Sequence, residues 1–281
     1  MPDVTPWTCP SCNVDATTAF CARCGEEPVT PADLTLRGLA ARLLHALTSI
    51  DARAARSARV LLRHPGRLTR AWTGGIRKPY VAPFQLFLIA NVIFFAVQWA
   101  TGENVFSSSL ESHLHRQDWS SWGRSLVFAR LEVTHITLAQ YEPTFDRAVV
   151  LNAKSLILLM ALVFALFLPL AFLRERRPFM THVVFSLHLY TFLLLVFCLA
   201  LLIARLSGWL GFGGLDTPMV DNVLSVANLA ACAAYLRVAM REVYGVSGVR
   251  RLATTALLAV AIAAIALGYR FALLLITLYG T

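Results

Sequence analysis

Two rhythms of hydrophobic and polar positions run along this chain. Five stretches stay almost free of charge for the length of a membrane crossing, which takes about 20 helical residues through a hydrocarbon core about 30 Å thick. They lie near 82–101, 155–173, 183–204, 222–240 and 252–277. The second and third are the cleanest, and the fourth is the weakest because Arg237 falls inside it and has to snorkel to the interface. Ahead of them the rhythm differs: Leu36, Leu39, Leu43, Leu47, Ile50 and Ala54 recur at the spacing of one helical face. Arg42, Arg53, Arg56, Arg59 and Arg63 populate the rest of that helix. The pattern predicts an all-α polytopic membrane protein of about five transmembrane helices behind a basic amphipathic helix.

Local punctuation agrees. His64-Pro65-Gly66 ends the basic helix, since the proline biases the residue before it away from the α region, and Pro83 suits the first turn of the first span. The segment 102–154 is too long for a bare connection. Trp119, Trp122, Leu126 and Val133 fall near one helical face, which predicts a short helix resting on the outer membrane surface, where tryptophan is favoured.

Composition and charge orient this layout. Of 281 residues, 57% are hydrophobic and 15% charged, and the net charge of +9 is carried almost wholly by arginine, with Lys78 and Lys154 the two lysines. The opening MPDVTPWTCP has neither a basic nor an apolar leader region, so the N-terminus is expected in the cytoplasm. With that start, 18 of the 25 Lys and Arg residues fall on the cytoplasmic side, as the positive-inside rule requires. The C-terminus is then outside.

Six cysteines divide into two kinds. Cys198 and Cys232 stand alone in apolar runs, where a thiol acts as a small hydrophobe. Cys9, Cys12, Cys21 and Cys24 form two Cys-x-x-Cys pairs eight residues apart, a spacing that can present four thiolates to one Zn²⁺ as a structural ion with no open position for water. An iron centre could use the same ligands, but zinc is the expectation in so small a fold. Residues 1–33 carry Asp3, Asp15, Glu26, Glu27 and Asp33 against Arg23 alone, which is a poor surface for a phosphate backbone. No nucleic acid is expected. The organisation read from the sequence is a cytosolic four-cysteine zinc ribbon at 1–33, a basic amphipathic juxtamembrane helix and linker at 34–80, and a membrane helical domain at 81–281.

Inside the third stretch, THVVFSLHLYTF, His182 and His188 make a candidate intramembrane polar site, with Asn91, Asn222 and Asn228 as candidate partners. Six residues turn a helix through about 240°, so the two imidazoles do not share a face. A neutral His188 hydrogen-bonded to a neighbouring helix is the plain alternative. In the outer segment, His113-x-His115 with Asp118, and Glu132-x-x-His135, are short patterns that a solvated face also produces. None of the common catalytic motifs occurs.

Taken in order, CPSC and FCARCG, LLRHPGRLTRAWTGGIRKPYVAPFQLFL, FDRAVVLNAKSLILLMALVFALFLPLAF and HVVFSLHLYTF resemble the bacterial membrane family catalogued as domain of unknown function 3667. The resemblance runs from Cys9 to about Val243. It implies a zinc-ribbon N-terminus on a multi-span inner-membrane protein with no assigned activity. The five-span layout is also similar in shape to the Yip family of membrane proteins.

The function expected from these features is a non-enzymatic scaffold of the bacterial cytoplasmic membrane. It would organise lipids with anionic headgroups through the basic helix, and a protein partner through the ribbon. Two alternatives stay open: a transporter or lipid carrier, and a membrane enzyme using His182 and His188.

Overall fold

The computed structural model describes residues 6–9, 13–18, 20–23, 52–76, 79–102, 108–117, 119–211 and 213–281, and the chain divides into a compact unit to Arg53 and another from Ala54. In the first unit, β1 (Trp7–Thr8) pairs antiparallel with β2 (Asp15–Ala16), Trp7 opposite Ala16 and Thr8 opposite Asp15. The connecting turn is closed by Asn13 N donating to Cys9 O at 2.9 Å and Cys9 N donating to Val14 O at 3.0 Å, with Asn13 at φ 52°. Cys9 and Cys21 are both buried. Cys12 and Cys24 lie outside the described residues, as does Arg42.

The second unit is helical. The described part of α1 covers 52–63, followed by α2 (Arg67–Thr73), α3 (Pro83–Thr101), α4 (Leu110–His115), α5 (Ser120–Thr134), α6 (Leu138–Ala171), α7 (Phe179–Trp209), α8 (Pro218–Tyr244) and α9 (Gly248–Gly280). Four of these, α3, α7, α8 and α9, are long and apolar enough to cross a membrane. Helix α6 makes a fifth if its halves, Leu138–Ala153 and Leu156–Ala171, are counted as one span bent by 48°. The chain is thus a polytopic helical protein with four to five candidate spans.

Helix boundaries follow the local chemistry. Pro83 and Pro218 occupy the first turns of α3 and α8, where a missing N–H costs nothing. Gly102 and Gly245 close those helices in the left-handed conformation. Helix α6 opens with a capping box between Thr137 and Gln140, well before the charge at Lys154 from which hydropathy starts the second span.

Helix α7 is the centre. It packs on α2, α3, α6 and α8, and its buried set runs almost without a break from Thr181 to Leu194. A helix that is apolar all round has no solvent face to keep. The side chains that stay exposed elsewhere are large and apolar, among them Trp99 at 86%, Leu170 at 65% and Val260 at 66%. Such breadth of apolar surface exceeds what a water-facing monomer carries and suits lipid.

Helix α5 forms where the outer segment's periodicity places a helix. It buries Ser120, Gly123, Val127 and Leu131, whereas Trp122 and Val133 are exposed at 70% and 74%. Gly123 explains the choice: a Cβ there would lie 3.1 Å from His113 O, so the small-residue stripe is the one that lets α4 approach.

Candidate functional site

The polar side chains gather at the end of the bundle where α2 meets the first turns of α7 and the last turn of α8. The approach begins at Gly66, the N-cap of α2, with φ 87°. A Cβ at this position would lie 2.9 Å from the Ala239 Cα, the Ala239 carbonyl oxygen and the Glu242 Cβ. Both the left-handed backbone and the close contact with α8 therefore call for glycine. With α2 held this way, Leu68 and Thr69 turn inward and Arg70 turns out.

Thr69 Oγ1 is 2.8 Å from Nδ1 of the buried His188. The other ring nitrogen of His188, Nε2, is buried without a hydrogen-bond partner among the described residues. Arg70 Nη1 donates to Glu242 Oε1 at 2.9 Å. Nearly two turns nearer the helix start, His182 Nδ1 is 2.9 Å from the Tyr244 hydroxyl. Tyr244 is itself clamped, stacked on Phe172 at 3.8 Å with an interplanar angle of 2° and on His182 at 5.5 Å. A polar recess of about 340 Å³ opens beside these groups, lined by Arg70, Thr73, Arg177, Thr181 and Glu242.

Each histidine thus has its own partner on a different helix, and neither lines the recess. None of the three asparagines bonds either ring: Asn91 is half-buried on α3, Asn222 is exposed, and Asn228 lines a cavity farther along α8. The arginines of α1 keep to the outside. Arg53, Arg56, Arg59 and Arg63 are exposed, while Ser57 and Leu61 face the body of the unit, Ser57 Oγ accepting from Val81 N at 3.0 Å. Among the described residues, no group of three or more His, Cys, Asp or Glu side chains is placed to hold a metal ion. Two of the four clustered cysteines are outside that set.

At the opposite end of the bundle, α4 is pinned to α6 by Leu110 N donating to Asp146 Oδ1 at 2.8 Å. This seats His113 between Trp119 and Phe145, with ring centroids 6.3 and 6.0 Å away. Neither of its ring nitrogens has a partner among the described residues. Burial, helped by the charge of Arg270, pushes the His113 imidazole down to about 4. His115 instead pairs on the surface with Glu111.

Residues 51–95 match the family model described as Protein of unknown function (DUF3667). The matched segment runs from the start of the described part of α1 through α2 into α3, so it contains Gly66, Thr69 and Arg70. No curated protein and no solved structure matches the chain. The matched segment therefore includes α2, which packs on both α7 and α8. The sequence marks His182 and His188 but not Thr69 or Tyr244. Those partners are 119 and 62 residues away along the chain, and nothing local to a threonine or a tyrosine marks such a pairing.

Proposed function

We propose that this chain is a non-enzymatic multi-pass protein of the bacterial cytoplasmic membrane that gathers anionic lipid at its cytoplasmic foot and docks a protein partner through its ribbon. The observation that carries the reading is the two-sidedness of α1 and α2. Ser57, Leu61, Leu68 and Thr69 are buried, whereas Arg56, Arg59, Arg63 and Arg67 are exposed. The charges are thus presented from a rigid element at the foot of the first span, where each basic group near an anionic surface is worth about 1 kcal/mol. The excess of arginine at this end supports an N-terminus in the cytoplasm and a C-terminus outside. The ribbon is the docking element, with Cys9, Cys12, Cys21 and Cys24 on one structural Zn²⁺.

Lipid retained by the purified full-length chain tests the first part. Replacing Arg56, Arg59 and Arg63 together by glutamine should lower the anionic share of the retained phospholipid by at least about 3-fold, three lost contacts being worth more than that factor even when screened. An unchanged composition rejects the lipid role. For the second part, proteins co-purifying with the full chain should be missing from a chain lacking 1–33, and identical partner sets would reject docking.

A further inference from the structure

Helices α6, α7, α8 and α9 form a closed ring of contacts, each packing on the next and α9 returning to α6. Between these helices is a cavity of about 230 Å³, walled by hydrocarbon from all four and open on one side where Leu229 is 54% exposed, with Tyr190, Ser225, Asn228 and Cys232 as its polar exceptions. Protein interiors hold few voids larger than a water molecule, and an apolar cavity of about 150 Å³ already admits benzene. This chamber is larger than that.

It also has neighbours. A space of about 350 Å³ toward α4 shares Phe197, Ser225 and Asn228 with the chamber and adds Ser112, Gln117, Asp221 and Arg270. On the other side, an apolar groove of about 380 Å³ between α6 and α9 shares Met160 with the chamber, and its Leu159 and Val163 are exposed at 45% and 42%. The chamber thus shares wall residues with a charged space on one side and with a groove open at the surface that lipid covers on the other. Along α9, Arg270 lies about 16 Å from Ala259 at the far wall, at 1.5 Å per residue.

That sequence of chemistries selects an amphiphile. A polar solute would leave most of the chamber's hydrocarbon wall against polar groups, and a plain hydrocarbon would desolvate the charges of the mouth without replacing their contacts. The charges themselves narrow the head. One guanidinium and one carboxylate line the mouth, and both signs are answered by a head that carries both. Arg270 has other contacts, but a guanidinium has five donors and can serve a phosphate beside them. Tyr190 supplies a second, independent sign of a ligand: the residue is 4% exposed, lines the chamber, and its hydroxyl has no hydrogen-bond partner among the described residues.

We propose that the α6–α9 ring holds one zwitterionic glycerophospholipid, its phosphate at Arg270, its ammonium at Asp221 and one acyl chain in the chamber. The site goes beyond the lipid-gathering role above and rests on it only in placing the helices in a bilayer. It takes its lipid from the leaflet that α4 and α5 face.

The test uses the full-length chain in nanodiscs of equal parts phosphatidylethanolamine and phosphatidylglycerol, with a trace of either lipid carrying a diazirine in one acyl chain. On irradiation, the ethanolamine probe should label buried chamber residues such as Leu194 and Cys232. Filling the chamber with Ala263→Phe should cut that labelling at least about 10-fold and leave labelling of the outward-facing Leu170 and Val260 unchanged. Asp221→Asn should bring the ethanolamine and glycerol probes to equal labelling of the chamber, and Arg270→Gln should lower both. If Ala263→Phe does not fold, the milder Ala266→Leu and the two mouth variants read the same site. Labelling confined to the outward face, or equal chamber labelling by both probes in the unaltered chain, overturns the proposal. The triple arginine replacement at Arg56, Arg59 and Arg63 should leave chamber labelling intact, so failure of the lipid-gathering role and failure of this site give different results.

Discussion

Thr69 Oγ1 lies 2.8 Å from His188 Nδ1, and this contact ties the segment before the first span to the interior of the central helix. With Nε2 already lacking a partner, Thr69 supplies the ring's remaining hydrogen bond to the described residues. Leaving a buried polar group unsatisfied costs about 1–3 kcal/mol. Thr69→Val, which keeps the shape, should therefore lower thermal stability in detergent by a few degrees. His188→Leu in that background should cost less than it does alone, by roughly 0.5–3 kcal/mol of coupling. Additive losses in a denaturation cycle would show that the contact carries no energy.

Gly66 and Gly75 separate two effects that usually travel together. Both have left-handed backbone, at φ 87° and φ 89°, but a Cβ at Gly66 meets α8 whereas one at Gly75 meets nothing within 4 Å. Gly75→Ala should cost about 1–2 kcal/mol, the conformational penalty alone. Gly66→Ala adds overpacking of about 1–3 kcal/mol against backbone that cannot rotate away, and should markedly lower the yield of folded protein. Equal melting temperatures for the two variants would contradict the close approach of α2 to α8.

His113 makes the α4–α5 end sensitive to acid. Its imidazole is held down to about 4 when buried and returns to about 6.5 when α4 lifts away. Between those values the open state binds the proton and the closed state does not, so stability of this end is full above about 6.5 and falls as pH drops toward 4. Amide exchange in 110–115 should accelerate over that window beyond its ordinary pH dependence. His113→Phe, which keeps an aromatic ring between Trp119 and Phe145, should remove the excess. An excess that survives the substitution would assign it to another group.

The ribbon's dependence on metal is expected to stop at the ribbon. The full chain should carry one zinc per molecule, and Cys21→Ser or a strong chelator should remove it, since metal binding and folding of so small a unit are one event. The helical unit from Ala54 has its own apolar core and should keep its helicity and melting temperature. Metal analysis together with circular dichroism on one sample decides this. Loss of helicity along with the zinc would mean that the two units fold as one.

What could be read from the sequence was what depends on neighbours along the chain. Runs near 20 apolar residues mark spans because every residue of such a run needs the same surroundings. The bent helix α6 is harder, because its first half lacks a long apolar run and falls within the outer segment that ends at Lys154. The T-x-x-Q capping pattern at Thr137 and Gln140 was the signal that its start lay earlier. The face of α5 that packs on α4 is harder to read for a related reason. Large apolar residues stand out in the sequence and Gly123 does not, although at a close crossing the smallest residue marks the contact. The partners of His182 and His188 depend on where α2 and α8 end up in three dimensions, and no spacing within α7 encodes that.

The close fit of Gly66 on Ala239 bears on where this protein can be cut. Hydropathy invites a boundary just before Pro83, with everything upstream treated as a detachable tail. Severing the chain there would pull a plug from between α7 and α8, strip Thr69 from His188, and open the foot of the bundle to water. Tags, fusions and truncations that aim to keep the membrane body whole belong upstream of Ala54.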